Sequence, residues 1–264
     1  MHSNKSDGIY APTALVDMAK QRGLDCISLT DHDTVGGISE ASSRAKEVGL
    51  GFIVGVELSS YSVCDVHILG YNINVRDSGF VDELSAVAEM RNKRNDLMFG
   101  LLKEHGINID PNSLVVDGGT IGRGTVAREI VKQGYCSSVT EVFEKYLGVD
   151  KCCYVQSKRL TPVEAIQLVL RYGGIPVLAH PKQLRLGDMS FERFLKPLVL
   201  AGLGGIEADY FTHTTAERRY YGKMAKKYRL IVTGGSDFHD YTHGVELGTK
   251  SFSPSGYTRT ILGI

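Results

Sequence analysis

Residues Leu24–Glu57 read LDCISLTDHDTVGGISEASSRAKEVGLGFIVGVE. The short apolar run Leu24–Leu29 has the length of a buried strand, and the polar turn TDHDT at Thr30–Thr34 ends it. Ile38–Val48 then places apolar residues at helical spacing, with Gly49 suited to the position after a helix end. Gly51–Val56 is a second apolar strand and runs directly into Glu57. Strand, helix and strand in so short a stretch imply a parallel βαβ unit. Both strand ends carry carboxylate or imidazole side chains.

Outward from this unit the alternation continues. A helix is expected at Pro12–Arg22, with Pro12 in its first turn and Gly23 after its end, and a strand at Val66–Tyr71. The second half predicts helix Pro162–Tyr172, strand Ile175–Ala179, helix Phe191–Ala201, strand Gly204–Ala208, helix Thr215–Tyr228 and strand Leu230–Thr233. The intervening stretch, Asp77–Cys153, is poor in strand signals and helical in period over Phe80–His105, Arg123–Lys132 and Val139–Tyr146. The pattern predicts an α/β barrel from residues 1–76 and 154–264, interrupted by a helical insertion at 77–153.

Composition narrows the function classes. The 264 residues contain 30 Lys plus Arg against 30 Asp plus Glu, so no net field recruits nucleic acid or an anionic membrane. An anionic substrate has to be held by local positive charge. The five cysteines, Cys26, Cys64, Cys136, Cys152 and Cys153, are odd in number and form no CxxC pair, which fits a reduced, cytoplasmic setting. The opening MHSNKSDGIY lacks an apolar signal core, and the most apolar later stretch, Pro162–Ala179, carries Glu164 and Arg171, so neither a signal peptide nor a membrane span is expected. No GxxxxGK[ST] loop and no GxSxG elbow is present, which argues against Walker-type nucleotide hydrolysis and serine acyl transfer.

Metal-ligand residue types fall at predicted strand ends. Asp31, His32 and Asp33 follow the first strand, Glu57 the second, His180 the strand Ile175–Ala179, and Asp237 with His239 the last. In a parallel barrel these carboxyl ends open on one face, where barrel enzymes place catalytic groups. Imidazole and carboxylate without thiolate suit Zn²⁺, Mn²⁺ or Fe²⁺ rather than a structural cysteine-rich site. Such a set repels itself when empty, whereas bound cations keep the carboxylates ionised.

Six ordered motifs then resemble one family. HSxxSDG at His2–Gly8, TDHDT at Thr30–Thr34, GVE at Gly55–Glu57, VHILGY at Val66–Tyr71, AHP at Ala179–Pro181 and GSDFH at Gly235–His239 resemble the motifs of PHP (polymerase and histidinol phosphatase) phosphoesterases. GRGTVAR at Gly122–Arg128 is similar to a signature of the 3′,5′-nucleotide bisphosphate phosphatase branch, although Gly124 and Thr125 stand where that branch commonly has Pro and His. The resemblance implies a distorted seven-stranded TIM-like barrel with a helical insertion. It implies two to three divalent ions (Mn²⁺, Zn²⁺ or Fe²⁺) held by His2, Asp7, His32, Glu57, His67, His180, Asp237 and His239. One ion would use His2, Glu57 and Asp237, a second Glu57, His67 and His180, a third Asp7, His32 and His239. Glu57, Asp237 and His239 are then the expected catalytic residues, with a metal-activated hydroxide as nucleophile. Read without the family, Asp7 would cap the helix near Pro12 and His67 would face the core. Asp31 and Asp33 are expected to orient imidazoles.

Substrate contacts are expected at Arg123, beside two glycines at a helix start, and at Arg128, with Lys158 and Lys182 as further candidates. Tyr210 and Phe211 are read either as a platform for a base or as core, and Tyr220 and Tyr221 as helix packing. The implied activity is hydrolysis of a phosphate monoester of a small nucleotide, a nucleoside 3′,5′-bisphosphate or monophosphate, extending to the 5′ ends of short oligonucleotides. No membrane partner and no stable nucleic-acid complex is expected. A histidinol-phosphatase-type enzyme, a non-catalytic PHP metal-binding module and, more distantly, an amidohydrolase are the alternatives. The family begins with a strand ending in His-x-His, and here Met1 occupies the middle position, leaving only His2. A start placed a few residues too late is expected, with the ion at His2, Glu57 and Asp237 the most weakly held.

Overall fold

The computed structural model describes residues 1–114, 121–156, 159–186, 189–241, 244–248 and 252–264, apart from the side chain of Arg91. The Leu24–Glu57 unit folds as expected: β1 (Cys26–Leu29), α2 (Ile38–Val48) and β2 (Gly51–Tyr61), with β1 and β2 parallel. Ahead of it α1 (Pro12–Gln21) carries Pro12 in its first turn, and Gly49 closes α2 at a φ of 64°. Leu15, Val16 and Ala19 of α1 and Ala41 and Ala45 of α2 pack with Ile27 and Leu29 of β1, so the apolar stripe of each helix covers one face of the sheet.

β3 (Asp65–Tyr71) departs from the parallel pattern. It pairs antiparallel with β2 on one side and with β4 (Ile175–Leu178) on the other. The reason lies in the connection, since β2 runs to Tyr61 and β3 begins at Asp65, and only a hairpin fits so short a link. Reversal of β3 brings His67, near its start, level with Ser59 of β2. The imidazole therefore reaches the same end of the sheet as the carboxyl ends of the parallel strands.

β5 (Gly205–Tyr210) and β6 (Ile231–Gly235) continue the sheet in parallel, giving a single six-stranded sheet in the order β1-β2-β3-β4-β5-β6. Helices α6 (Pro162–Arg171), α7 (Phe191–Leu200) and α8 (Thr215–Tyr228) cover its outer face through Ile166, Val169, Leu195, Leu198 and Ala225. Ile53, Leu69, Tyr71, Val177 and Ile231 turn inward, where Leu262 of the terminal helix α9 (Gly256–Leu262) meets them. Alternation along β4, with Val177 inward and Leu178 outward, separates the two layers.

Six strands, rather than the seven expected, are found among the described residues, and the sheet curls as a half-barrel. Met1 and His2 stand between its edges: Met1 O accepts from the Thr30 amide at 3.0 Å and the His2 amide donates to Phe238 O at 2.9 Å. A cavity of about 790 Å³ inside the curl is lined by Ile53, Leu69, Tyr71, Glu207 and Thr233.

Between β3 and α6 the described residues form α3 (Ser78–Glu104), α4 (Arg123–Lys132), α5 (Val139–Val142) and a π-turn at Phe143–Leu147. Met98, Leu102, Val126, Ile130, Leu147 and Cys153 form a core here that is separate from those of the sheet. Among the described residues no helix is long and apolar enough to cross a membrane.

Candidate metal centre

The centre grows from the loop that follows His2. Asp31, just past β1, accepts from the Ser3 amide at 2.6 Å, from Ser3 Oγ at 2.7 Å and from Ser6 Oγ at 2.6 Å. These bonds fold HSNKSDG into a tight turn, and a Cβ at Gly8 would lie 2.1 Å from the His2 carbonyl oxygen. Asp31 thus anchors this loop and not an imidazole, a different role from the one expected of it. Asp33 accepts from the Ser59 amide at 2.8 Å, tying the end of β1 to β2. Asp7 does not cap α1, whose N-cap position is Ala11.

Three sets of ligand-type atoms converge. Glu57 Oε1, His67 Nδ1 and His180 Nε2 form a triangle with edges of 2.9, 3.1 and 3.2 Å. His2 Nε2 lies 2.9 Å from both Glu57 Oε2 and Asp237 Oδ1. His239 Nε2 lies 3.0 Å and His32 Nε2 3.9 Å from Asp7, on its Oδ1 and Oδ2. The His2 and His239 rings stack at 4.2 Å. Ligand atoms on neighbouring vertices around an ion at about 2.1 Å sit about 3.0–3.4 Å apart, so the first two sets have the size of coordination faces. His32 Nδ1 and His180 Nδ1 are buried with no hydrogen-bond partner among the described residues. The donor set therefore fits divalent cations, and Glu57 offers one oxygen to each of two sets.

Electrostatics among these groups agree. Burial disfavours charge on every group, but the opposite charges outweigh it for most. Asp7 and Glu57 are held well below the usual carboxylate range, Asp7 mainly by His32 and His239, Glu57 by His32 and His67. Asp237 is likewise lowered, chiefly by its contact with His2. Burial pulls His2 down, yet Asp237 and Glu57 raise it to about 10, and Glu57 raises His180 to about 9. For His32 burial wins, and it falls to about 4.

The backbone at this end is strained. His180 has a φ of 26° and Asp237 one of 49°, both in the left-handed region that costs a non-glycine residue free energy. Glu207, fully inside β5, accepts from the His180 amide at 2.8 Å and holds that turn. A Cβ at Gly235 would lie 2.0 Å from Glu207 Oε1, so glycine makes room for the carboxylate. Burial raises Glu207 to about 7. Tyr210 donates to Asp237 Oδ2 at 3.3 Å and accepts from Gln183 Nε2 at 2.7 Å, so it braces the centre from within the core and is no open platform for a base.

Asp7, His32 and His67 line a cleft of about 930 Å³ together with Arg123, Phe143, Lys151 and Arg159. Arg123 donates to Leu147 O at 3.2 Å and pairs with Asp65 at 3.2 Å, while Arg159 takes the other oxygen of Asp65 and lies over the Tyr61 ring at 4.8 Å. Arg128 points elsewhere, donating to Asp7 O at 2.7 Å and so fixing the loop that carries this carboxylate. Lys182 is engaged by Thr212 O and Glu217, both at 3.0 Å. Lys158 lies outside the described residues. Tyr220 and Tyr221 pack against Phe191, as expected of helix-packing residues. Glu207, Asp65, Lys151 and Arg159 were not foreseen. A charged residue inside the apolar strand GGIEADY was a usable signal for Glu207, whereas nothing local marks the other three.

Comparison with known proteins agrees with this architecture. The PHP domain family matches residues 1–115. A 5′-3′ exoribonuclease, Rnm, of Escherichia coli is 32% identical over 260 residues, 97% of this chain and 89% of that protein. The chain belongs to the PHP family. It is a hydrolase of the family's metal-dependent phosphoesterase class. A 3′,5′-nucleoside bisphosphate phosphatase of Chromobacterium violaceum is 33% identical over 90% of this PHP chain and 85% of its own length. A Bifidobacterium adolescentis crystal structure described as a metal-dependent phosphoesterase superposes with a TM-score of 0.86 at 26% identity, covering 99% of this chain and 93% of that one.

Proposed function

We propose that this chain hydrolyses the phosphate monoester of a small nucleotide, a nucleoside 3′,5′-bisphosphate or monophosphate, and accepts the 5′ ends of short oligonucleotides. The observation that carries the reading is the cleft itself, which Asp7, His32 and His67 of the imidazole and carboxylate centre line together with Arg123, Lys151 and Arg159. Its volume of about 930 Å³ exceeds what a lone phosphate group needs, leaving room for a sugar and base. The names of the Chromobacterium violaceum and Escherichia coli relatives point to nucleotide and RNA substrates.

His2, Glu57 and Asp237 would hold one cation, Glu57, His67 and His180 a second, and Asp7, His32 and His239 a third, each Zn²⁺, Mn²⁺ or Fe²⁺. Bound there, such ions supply charge to phosphoryl oxygens and lower the pKa of water toward neutrality. The protein's own groups do the rest. Arg123 grips a phosphate oxygen with a charge-assisted hydrogen bond. Glu207 keeps His180 aimed through its backbone amide, and Tyr210 fixes the Asp237 carboxylate. Arg128 keeps Asp7 in place. Residues 1–76 and 154–264 would form the ligand-bearing unit, an open variant of a seven-stranded barrel, and residues 77–153 an insertion that adds Arg123 and Lys151 to the cleft. The separate insertion core supports that division.

A phosphate-release panel tests the assignment, comparing a nucleoside 3′,5′-bisphosphate, a nucleoside monophosphate, a 5′-phosphorylated short RNA and histidinol phosphate. The nucleotides are expected to give the highest kcat/KM. Preference for histidinol phosphate would replace this reading with the histidinol-phosphatase one.

A further inference from the structure

The insertion holds a second group of metal-ligating side chains, made of different chemistry. His105, Cys152 and Cys153 offer ligand atoms that all lie within 4.8 Å of one another. Cys153 is buried in the insertion core and Cys152 is exposed beside it, both as free thiols. Their sulfur atoms are 3.8 Å apart. Two thiolates bound at about 2.3 Å to one tetrahedral zinc ion are separated by about 3.8 Å, so the pair already has that spacing.

The imidazole is prepared for the same ion. His105 Nδ1 lies 2.9 Å from the Leu101 carbonyl, which can only accept, so Nδ1 carries the proton. That leaves Nε2 as the atom with a free lone pair, the tautomer that metal-binding histidines adopt when a carbonyl holds their other nitrogen.

We propose that His105, Cys152 and Cys153 bind one structural zinc-class cation, with water completing a tetrahedron, and that this site ties the end of α3 to the turn behind the cleft wall. Loading removes a proton from each thiol and releases both to solvent. The position gives the site a purpose: Phe143 in the π-turn, and Gly148, Val149 and Lys151 between that turn and the cysteine pair, all line the cleft. A cation here would stiffen the surface that faces the catalytic ions, using ligands distinct from theirs.

Cobalt(II) separates the two centres, because the catalytic set contains no thiolate. Full-length reduced protein titrated with Co²⁺ is expected to show near-ultraviolet thiolate-to-cobalt charge-transfer absorption. Cys152→Ser and His105→Gln should each weaken or abolish it, and zinc-loaded protein should hold one ion fewer per chain in each variant. Cys64→Ser, at the cleft, should leave the band intact. Hydrolysis at saturating substrate should be unchanged in Cys152→Ser and His105→Gln. No band at saturating Co²⁺, or a band of undiminished intensity in both variants, overturns the proposal. Circular dichroism of each variant confirms that a lost band reports a lost ligand and not an unfolded insertion.

Discussion

The ligand centre and the wall formed by Arg123, Lys151 and Arg159 line the same cleft, yet they use charge in opposite ways. In the centre His2, Glu57 and His180 are buried and ligand-type atoms crowd to 2.9–3.2 Å, so the protonation of these three depends on their neighbours. On the wall Arg123 and Arg159 share Asp65, whose side chain is 42% exposed, so solvent partly screens the pairing. Substitutions should therefore be costly and non-additive in the centre, and graded on the wall.

The largest effect is expected at Glu57, which reaches two ligand sets at once. Glu57→Gln should lower kcat by about 10³-fold or more and reduce metal per chain by more than one ion, because losing preorganised charge at a reacting phosphate costs several kcal/mol. Metal content within error of wild type would break the contrast at its root.

Proton competition comes next. In the cation-free chain His2 keeps its proton up to about 10 and His180 up to about 9, so below those values each must lose a proton for a cation to bind. Apparent affinity should rise about tenfold per pH unit for every histidine displaced across the neutral range. Stability of the cation-free chain has the opposite slope. The pairing of these imidazoles with carboxylates is fully stabilising below the ordinary histidine value of 6.5 and is lost as pH climbs toward 9 and 10. Asp7 and Glu57, held low, contribute above the carboxylate range and cease to as pH falls through it. Melting curves with and without metal between about pH 6 and pH 9 should diverge, and parallel curves would refute the coupling.

Glu207→Gln should cost about 10–100-fold in kcat or metal affinity, as losing a group that orients a ligand usually does. The expected readout is metal loss with KM for substrate unchanged, since Glu207 touches the His180 backbone and not the cleft wall.

On the wall, Arg123→Ala should raise KM about tenfold with the metals retained, the loss of one charge-assisted contact worth about 1.5–3 kcal/mol. Asp65→Asn should move KM the other way by a few-fold, as it frees both arginines from a half-exposed pair worth about 0.2–1 kcal/mol. A KM that rises in Asp65→Asn would mean that the carboxylate positions the arginines instead of competing for them.

The same contrast explains what the sequence made legible. The centre demands particular side chains at particular strand ends, so TDHDT, AHP and GSDFH stand out, and the groups they carry do meet. The βαβ alternation was equally readable because burial dictates its period. The reversal of β3 was not read, although the short link between β2 and β3 contained it. The wall was hidden for a different reason. Asp65 and Arg159 are 94 residues apart, and no local pattern announces a pairing made by tertiary packing. Arg128 carries the expected signature but turns toward the Asp7 backbone, because a motif specifies a residue type and packing decides where it points.

The contact between His2 and Asp237 spans nearly the whole chain, and this has a consequence for biosynthesis. The loop that carries His2 is made before any of the described strands, while the carboxylate in its set follows β6, the last of them. A nascent chain can form the β2–β3 hairpin early, since its contacts are local, but it cannot assemble this ligand set until the sheet has curled onto its own beginning. Cation capture at His2 would thus report completed folding, and a chain released short of Asp237 should be unable to hold an ion there and should be left to the cell's proteases.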